Sequence, residues 1–127
     1  MRAMRHFVLA AAAIALVLCS CGKQYKAEGV VKAFLKENVR SGSEPRSLHF
    51  RDIDSTRHVN DSLITVLRAN AENSGRYKPG VKYEEKQGGD RRTLIIARVE
   101  YMLGDSAYSD TYYLDEDMTG VVAVKPN

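Results

Sequence analysis

Residues 92–125, RTLIIARVEYMLGDSAYSDTYYLDEDMTGVVAVK, decide the fold. Arg92 to Leu103 reads as one long strand, and Ala107 to Leu114 reads as a second. Gly104-Asp105 lies between them. A two-residue hairpin turn needs left-handed backbone, which glycine adopts without strain, so this pair is a strong hairpin signal. Asp115-Glu116-Asp117 and Thr119-Gly120 supply the next turn, and Val121 to Lys125 closes the sheet. Upstream, Lys78-Pro79-Gly80 is a turn, and Val81 to Lys86 is expected to pair with the 92–103 strand across Gly88-Gly89-Asp90. The C-terminal third is thus an antiparallel meander of three or four strands.

Working towards the N-terminus, Tyr25 to Arg40 carries helical periodicity. At about 100° per residue, Ala27, Val30, Val31, Phe34, Leu35 and Val39 share one half of the wheel. Lys26, Lys32, Lys36 and Arg40 cover the other half, and Ser41-Gly42-Ser43-Glu44-Pro45 ends the helix. Leu48 to Ile53 is a short strand with Leu48 and Phe50 alternating against His49 and Arg51. Asn60 or Asp61 offers an N-cap for a second helix. That helix places Leu63, Ile64, Leu67 and Ala71 on one stripe and stops before Gly75, a left-handed terminator. Helix, strand, helix and meander make a two-layer α+β domain, with two helices on one face of an antiparallel sheet of four to five strands. The order also permits a sheet curled around its helix, as in cystatin-like or nuclear-transport-factor-like rolls.

Composition sets the class. The chain has 127 residues, 44% of them apolar and 28% charged, which describes a globular protein with one modest core. Its formal charge of +3 partly belongs to Arg2 and Arg5, and basic residues elsewhere are interleaved with acids. Nucleic-acid binding is therefore set aside. Both cysteines, Cys19 and Cys21, lie near the N-terminus, so the remainder folds without a disulfide.

Arg2 and Arg5 form a positive n-region ahead of Phe7 to Leu18, an apolar stretch well short of the roughly twenty residues that a membrane span needs. Leu18-Cys19-Ser20-Cys21 resembles the lipobox of bacterial lipoproteins, with an aliphatic residue three before the cysteine and a small residue just before it. The resemblance implies a signal peptide over residues 1–20, cleavage between Ser20 and Cys21, and diacylglycerol on the Cys21 thiol. Acyl chains contribute about 0.8 kcal/mol per buried CH₂, so two or three of them anchor a protein to the bilayer. Cys19 is the weaker acceptor because it would put Leu18 at the cleavage subsite. Residues 21–24 become a lipidated N-terminus and tether of roughly 14 Å at full extension, and 25–127 the single domain.

The Ser-Cys-Gly-Lys junction and the closing Tyr-Tyr-Leu-Asp-Glu-Asp-Met-Thr-Gly-Val-Val-Ala stretch resemble small lipoproteins of Bacteroides-type (Bacteroidota) bacteria. Gly22 is not the aspartate that retains lipoproteins in the inner membrane, and no acid precedes Glu28 to direct surface export. The implied address is the outer membrane, facing the periplasm. Asp54-Ser55-Thr56, Asp61-Ser62-Leu63 and Asp105-Ser106-Ala107 also resemble the O-glycosylation motif of that group, which makes Ser55, Ser62 and Ser106 candidate glycosylation sites.

Other chemistry is thinly signalled. His49 and His58 lack the short repeated spacing of zinc ligands, and Asp52-Ile53-Asp54-Ser55-Thr56-Arg57-His58 reads as a surface loop. Asp115-Glu116-Asp117 is consecutive, where calcium loops alternate their ligands, so a solvated turn is preferred. Tyr101, Tyr108, Tyr112 and Tyr113 cluster on the hairpin, with Tyr112 and Tyr113 on opposite faces; packing explains them, and contact with a glycan or peptide is the sharper alternative. Lys23, Lys26 and Lys32 would lie near anionic headgroups, each contributing about 1 kcal/mol at most, although a solvated helix face is the preferred reading. With no nucleotide loop, nucleophile motif or cofactor signature, the expectation is a non-enzymatic binding or accessory module. Its partners would be the lipid bilayer and an envelope protein or glycan. A structural envelope protein is the alternative, and a roll-type enzyme a third reading.

Overall fold

The computed structural model describes residues 22–40, 44–85 and 92–127. The export signal, the Ser20–Cys21 cleavage and lipidation site and the Gly88-Gly89-Asp90 turn lie outside the described residues. Among the described residues, helix α1 covers 22–38. It is followed by β1 (Arg46–Phe50), β2 (Asp54–Thr56), α2 (Asp61–Asn73), β3 (Leu94–Leu103), β4 (Ser106–Asp115) and β5 (Val121–Pro126). The described residues thus form a two-layer α+β domain with two helices and an open, five-stranded antiparallel sheet.

The β3–β4 hairpin is its spine. Ten consecutive pairs run in register from Leu94↔Asp115 to Leu103↔Ser106, and Gly104 turns the chain at φ 58°, as the Gly-Asp pair requires. Beyond β4, the register with β5 shifts between Tyr113 and Leu114. Such an irregularity re-phases side-chain alternation, so β5 presents Val121 and Val124 to one apolar cluster and Val122 and Ala123 to another. On the other edge of β3, β1 and β2 pair in tandem, through Phe50↔Val99 and Asp54↔Ile96.

That tandem overturns one expectation. Val81 to Glu85 is not a strand and does not pair with β3. Both edges of β3 are already taken, by β4 on one side and by β1 and β2 on the other. The 81–85 segment runs instead beside β5, where the Glu84 N–H donates to the Val121 carbonyl at 2.8 Å. The expected strand over Leu48 to Ile53 is likewise two short pieces, with Ile53 between them.

Helix α1 buries Ala27, Val31, Phe34 and Leu35, with Val39 just past its end, against Ala97, Val99 and Tyr101 of β3 and Tyr112 and Leu114 of β4. Each large apolar side chain so buried contributes roughly 1.5–3 kcal/mol. Residues 22–24, which precede the expected start of the helix, are already helical. Gln24 ties this part of the helix to the β1–β2 connection: its side-chain amide donates to the Arg51 carbonyl at 3.1 Å and accepts from the Ile53 N–H at 2.9 Å. It ends at Asn38, and Val39 enters an antiparallel bridge with Tyr77.

Helix α2 is capped by Asn60, whose side chain accepts from the Leu63 N–H at 2.8 Å, satisfying one of the orphan first-turn donors. Gly75, at φ 77°, follows the last turn as a left-handed terminator. The buried stripe is Ile64, Leu67 and Ala71. Leu63, expected on that stripe, is 39% exposed, because it lies one position off the contact line. Ala71 joins the α1 cluster, and Ile64 and Leu67 form a smaller one with Val59, Leu94, Val122 and Ala123.

Candidate functional site

A groove of about 870 Å³ lies between α1 and the 78–84 segment. Its floor comes from the helix, where Gly29 and Ala33 leave room beside Val30 and Phe34. A Cβ built on Gly29 would meet nothing within 4 Å, so the space there is open. The opposite wall is Lys78 to Glu84, an irregular segment held at several points. The Lys78 N–H donates to the Asn38 carbonyl at 2.7 Å, Tyr83 stacks obliquely on Phe34 with ring centroids 5.9 Å apart, and the Arg68 guanidinium lies 4.7 Å over the Tyr83 ring. Burial holds the Tyr83 phenol above its ordinary pKa, with Arg68 opposing and Glu72 reinforcing the shift. Lys26, Lys78 and Lys82 line it together with Glu37 and Glu84. The groove is therefore amphipathic, suited to a ligand or peptide with an apolar body and mixed polar groups.

A second polar centre lies inside the core. Asp110 is fully buried, on the β4 face that carries Tyr112. The Arg76 guanidinium donates to Asp110 Oδ1. The Tyr77 hydroxyl donates to Oδ2 at 2.5 Å, and the Tyr101 hydroxyl donates to the same oxygen. The Tyr77 and Tyr112 hydroxyls are 2.6 Å apart. Since the single proton of Tyr77 is committed to the carboxylate, Tyr112 is the donor of that pair. Arg76 also sits 4.5 Å over the Tyr108 ring.

The electrostatics follow from burial. Desolvation, reinforced by the Asp110 charge, pushes the Tyr101 phenol up to about 12. Tyr112 is raised well above its ordinary value by burial and Asp110; Tyr77 is raised by burial, with Tyr112 and Asp110 adding to it. For Arg76, burial works against the charge, but Asp110 and Tyr101 together outweigh it and the net shift is upward. Asp110, Tyr77, Tyr101 and Tyr112 are each at most 2% exposed, so no ligand reaches them without opening the core. The centre is a latch. It joins the Arg76–Tyr77 segment, which follows α2, to the sheet beside the end of α1, where the Arg40 N–H donates to the Arg76 carbonyl at 3.0 Å.

The residues singled out in the sequence are scattered. Ser55 (on β2), Ser62 (in the first turn of α2) and Ser106 (opening β4) are all exposed and far apart in the fold. His49 faces solvent on β1 opposite Glu100, and His58 is exposed in the loop before α2. Among the described residues no group of three or more His, Cys, Asp or Glu side chains is placed to hold a metal ion. Asp115 works inside its turn, accepting from the Thr119 hydroxyl at 2.5 Å and from the Thr119 and Gly120 N–H groups at 2.8 and 2.9 Å. Burial opposes its charge, but these bonds hold its carboxyl below the usual range. Lys23 and Lys26 are exposed on the first turns of α1, and Lys32 lies 5.7 Å over the Phe50 ring. Tyr112 and Tyr113 do point to opposite faces: Tyr112 is buried in the α1 cluster and Tyr113 packs against the smaller one.

The latch escaped the sequence reading. Its one visible signal is parity, because Asp110 alternates with Tyr108 and Tyr112 and so shares their inward face. Arg76 and Tyr77 carry no such signal, since they lie in an irregular segment brought to the sheet by tertiary packing. No family model matches the chain, and neither a curated protein nor a solved structure matches it.

Proposed function

We propose that this chain is a membrane-anchored envelope lipoprotein whose domain is a small, non-catalytic binding or accessory module, with the α1 groove as its binding surface. The observation that carries the reading is continuity between the lipobox and the groove. Gly22, the residue after Cys21, is already helical, and Lys26 on the same helix lines the groove. At 1.5 Å per residue, a Cys21 held in the bilayer would keep the groove mouth within roughly 8 Å of its anchor. Tyr25, 80% exposed on the same turn, has the amphipathic ring that favours the headgroup layer. The occupant would thus be a partner at or near the membrane surface, an envelope protein or a glycan. The absence of acids before Glu28 supports the periplasmic leaflet of the outer membrane as the address.

Two measurements test this. Metabolic labelling with an alkyne fatty acid should mark the native protein and fail in Cys21→Ala; labelling that survives the substitution overturns the anchor. A photo-crosslinking residue at Ala33, in the groove, should capture one discrete partner in cells, whereas one at Lys36, elsewhere on α1, should not. Equal, diffuse capture at both positions would favour the structural envelope reading instead.

A further inference from the structure

The face of the sheet turned away from α1 carries a separate feature. Alternation along β3 sends Ala97, Val99 and Tyr101 into the α1 cluster, and therefore sends Arg98 and Glu100 to the other side. There a recess of about 330 Å³ is lined by Arg51, Arg98, Glu100, Ser109, Thr111, Tyr113, Lys125 and Asn127. The register builds a row across three adjacent strands. Arg98 is paired with Thr111, and Thr111 with Lys125. With strands about 4.8 Å apart, the backbone positions of Arg98 and Lys125 stand roughly 10 Å from each other, with Thr111 between them.

The charges do not close on themselves. Glu100 is engaged by Arg51 at 3.3 Å, and among the described residues neither Arg98 nor Lys125 has an ion-pair partner. Thr111 is nearly buried, and its Oγ1 accepts from the Asn127 side-chain amide at 3.2 Å. Its own hydroxyl proton is therefore available to donate into the recess. Ser109 and Tyr113 bring two further hydroxyls. Two like charges flanking hydroxyl donors gain nothing from each other. They form a bracket for a negative group, in which charge-assisted bonds are the strong ones.

We propose that this recess binds an oxyanion group, a phosphate or a carboxylate, on a polar ligand, with Arg98 and Lys125 as the two cationic arms and Thr111 as the central donor. The site is distinct from the α1 groove and does not depend on lipidation. Acidic sugars and phosphorylated headgroups share this chemistry, and the test separates them.

The full chain, purified from membranes in neutral detergent, is titrated with inorganic phosphate, glucuronate and glucose while the Thr111 amide is followed by NMR. Phosphate or glucuronate should give saturable shifts at Thr111, and glucose none. Stronger binding of glucuronate points to an acidic saccharide, and stronger binding of phosphate to a phosphorylated one. In Arg98→Gln/Lys125→Gln the affinity should fall by about tenfold or more, while Lys36→Gln, outside the recess, should leave it unchanged. Near-native thermal unfolding of the double variant would show that the loss is not unfolding. The proposal is overturned if neither anion shifts Thr111, if the double variant binds like Lys36→Gln, or if only phosphatidylglycerol vesicles bind while both free anions do not.

Discussion

Two arginine–carboxylate pairs sit on opposite faces of the same sheet, and their surroundings make them different objects. Arg76–Asp110 lies on the covered face with side chains 12% and 0% exposed. Arg51–Glu100 lies on the other face at 65% and 51%. Taking two charges out of water is costly, and their attraction offsets that cost only when the remaining lone pairs are also satisfied. Tyr77 and Tyr101 perform that service for Asp110, and Tyr112 supports Tyr77 in turn. Around Glu100, water does the same work, so the pair is free to break. One chemistry thus gives a buried joint inside and a solvent-exposed pair outside.

The largest effect should come from breaking the inner pair. Asp110→Ala leaves Arg76 buried without its counter-charge and two tyrosine hydroxyls without an acceptor. Unfolding in urea should show a loss of about 3–5 kcal/mol. Arg76→Met with Asp110→Leu should lose clearly less, because no stranded charge remains; a double variant worse than Asp110→Ala would contradict the comparison.

Alkali should act on the same joint. The Tyr101 phenol is raised to about 12 from an unfolded value near 10. Its neutral form is the one the fold favours, so its contribution is complete below pH ~10 and is lost as pH rises through about 12. That contribution is on the order of 2 kcal/mol. Stability measured against pH should fall steeply over that window, and Tyr101→Phe should flatten the fall.

A smaller effect is expected at the rim of the hairpin stack. Asp115, held by Thr119 and Gly120, has its carboxyl lowered, so its contribution is present above pH ~4 and is lost as pH falls through its folded value. Asp115→Ala should cost about 1 kcal/mol at neutral pH, and acid should narrow the gap from the native protein. The smallest effect belongs to the outer pair. A double-mutant cycle over Arg51 and Glu100 should return about 0.2–1 kcal/mol and vanish in roughly 1 M salt. A coupling that persists in salt would mean that this face is less open than its exposure implies.

The elements that were legible share one property: their signal is local. The β3–β4 turn at Gly104-Asp105, the α1 stripe from Ala27 to Val39 and the Asn60 cap are each written within a few residues. The 81–86 segment misled because extended, apolar-alternating chain looks the same whether it joins a ladder or merely runs beside one. Its place depends on which strand edges are free, and β1 and β2 had already taken the edge of β3. The candidate sites followed the same division. The groove needs Gly29 and Ala33 opposite a segment about fifty residues away, and no periodicity announces that meeting.

The sequence by itself determined the apolar faces of both helices, the hairpin and the α+β class, because helical and strand periodicities of 3.6 and 2 are imposed by the backbone. It also carried the whole of the lipobox resemblance, which is a matter of adjacent residues. Tertiary structure alone decided that Asp110 would be buried with Arg76, Tyr77 and Tyr101, and that Arg98 and Lys125 would flank Thr111 on neighbouring strands. Burial and register bring together residues from separate segments, and only the folded chain sets the distance and the dielectric between them.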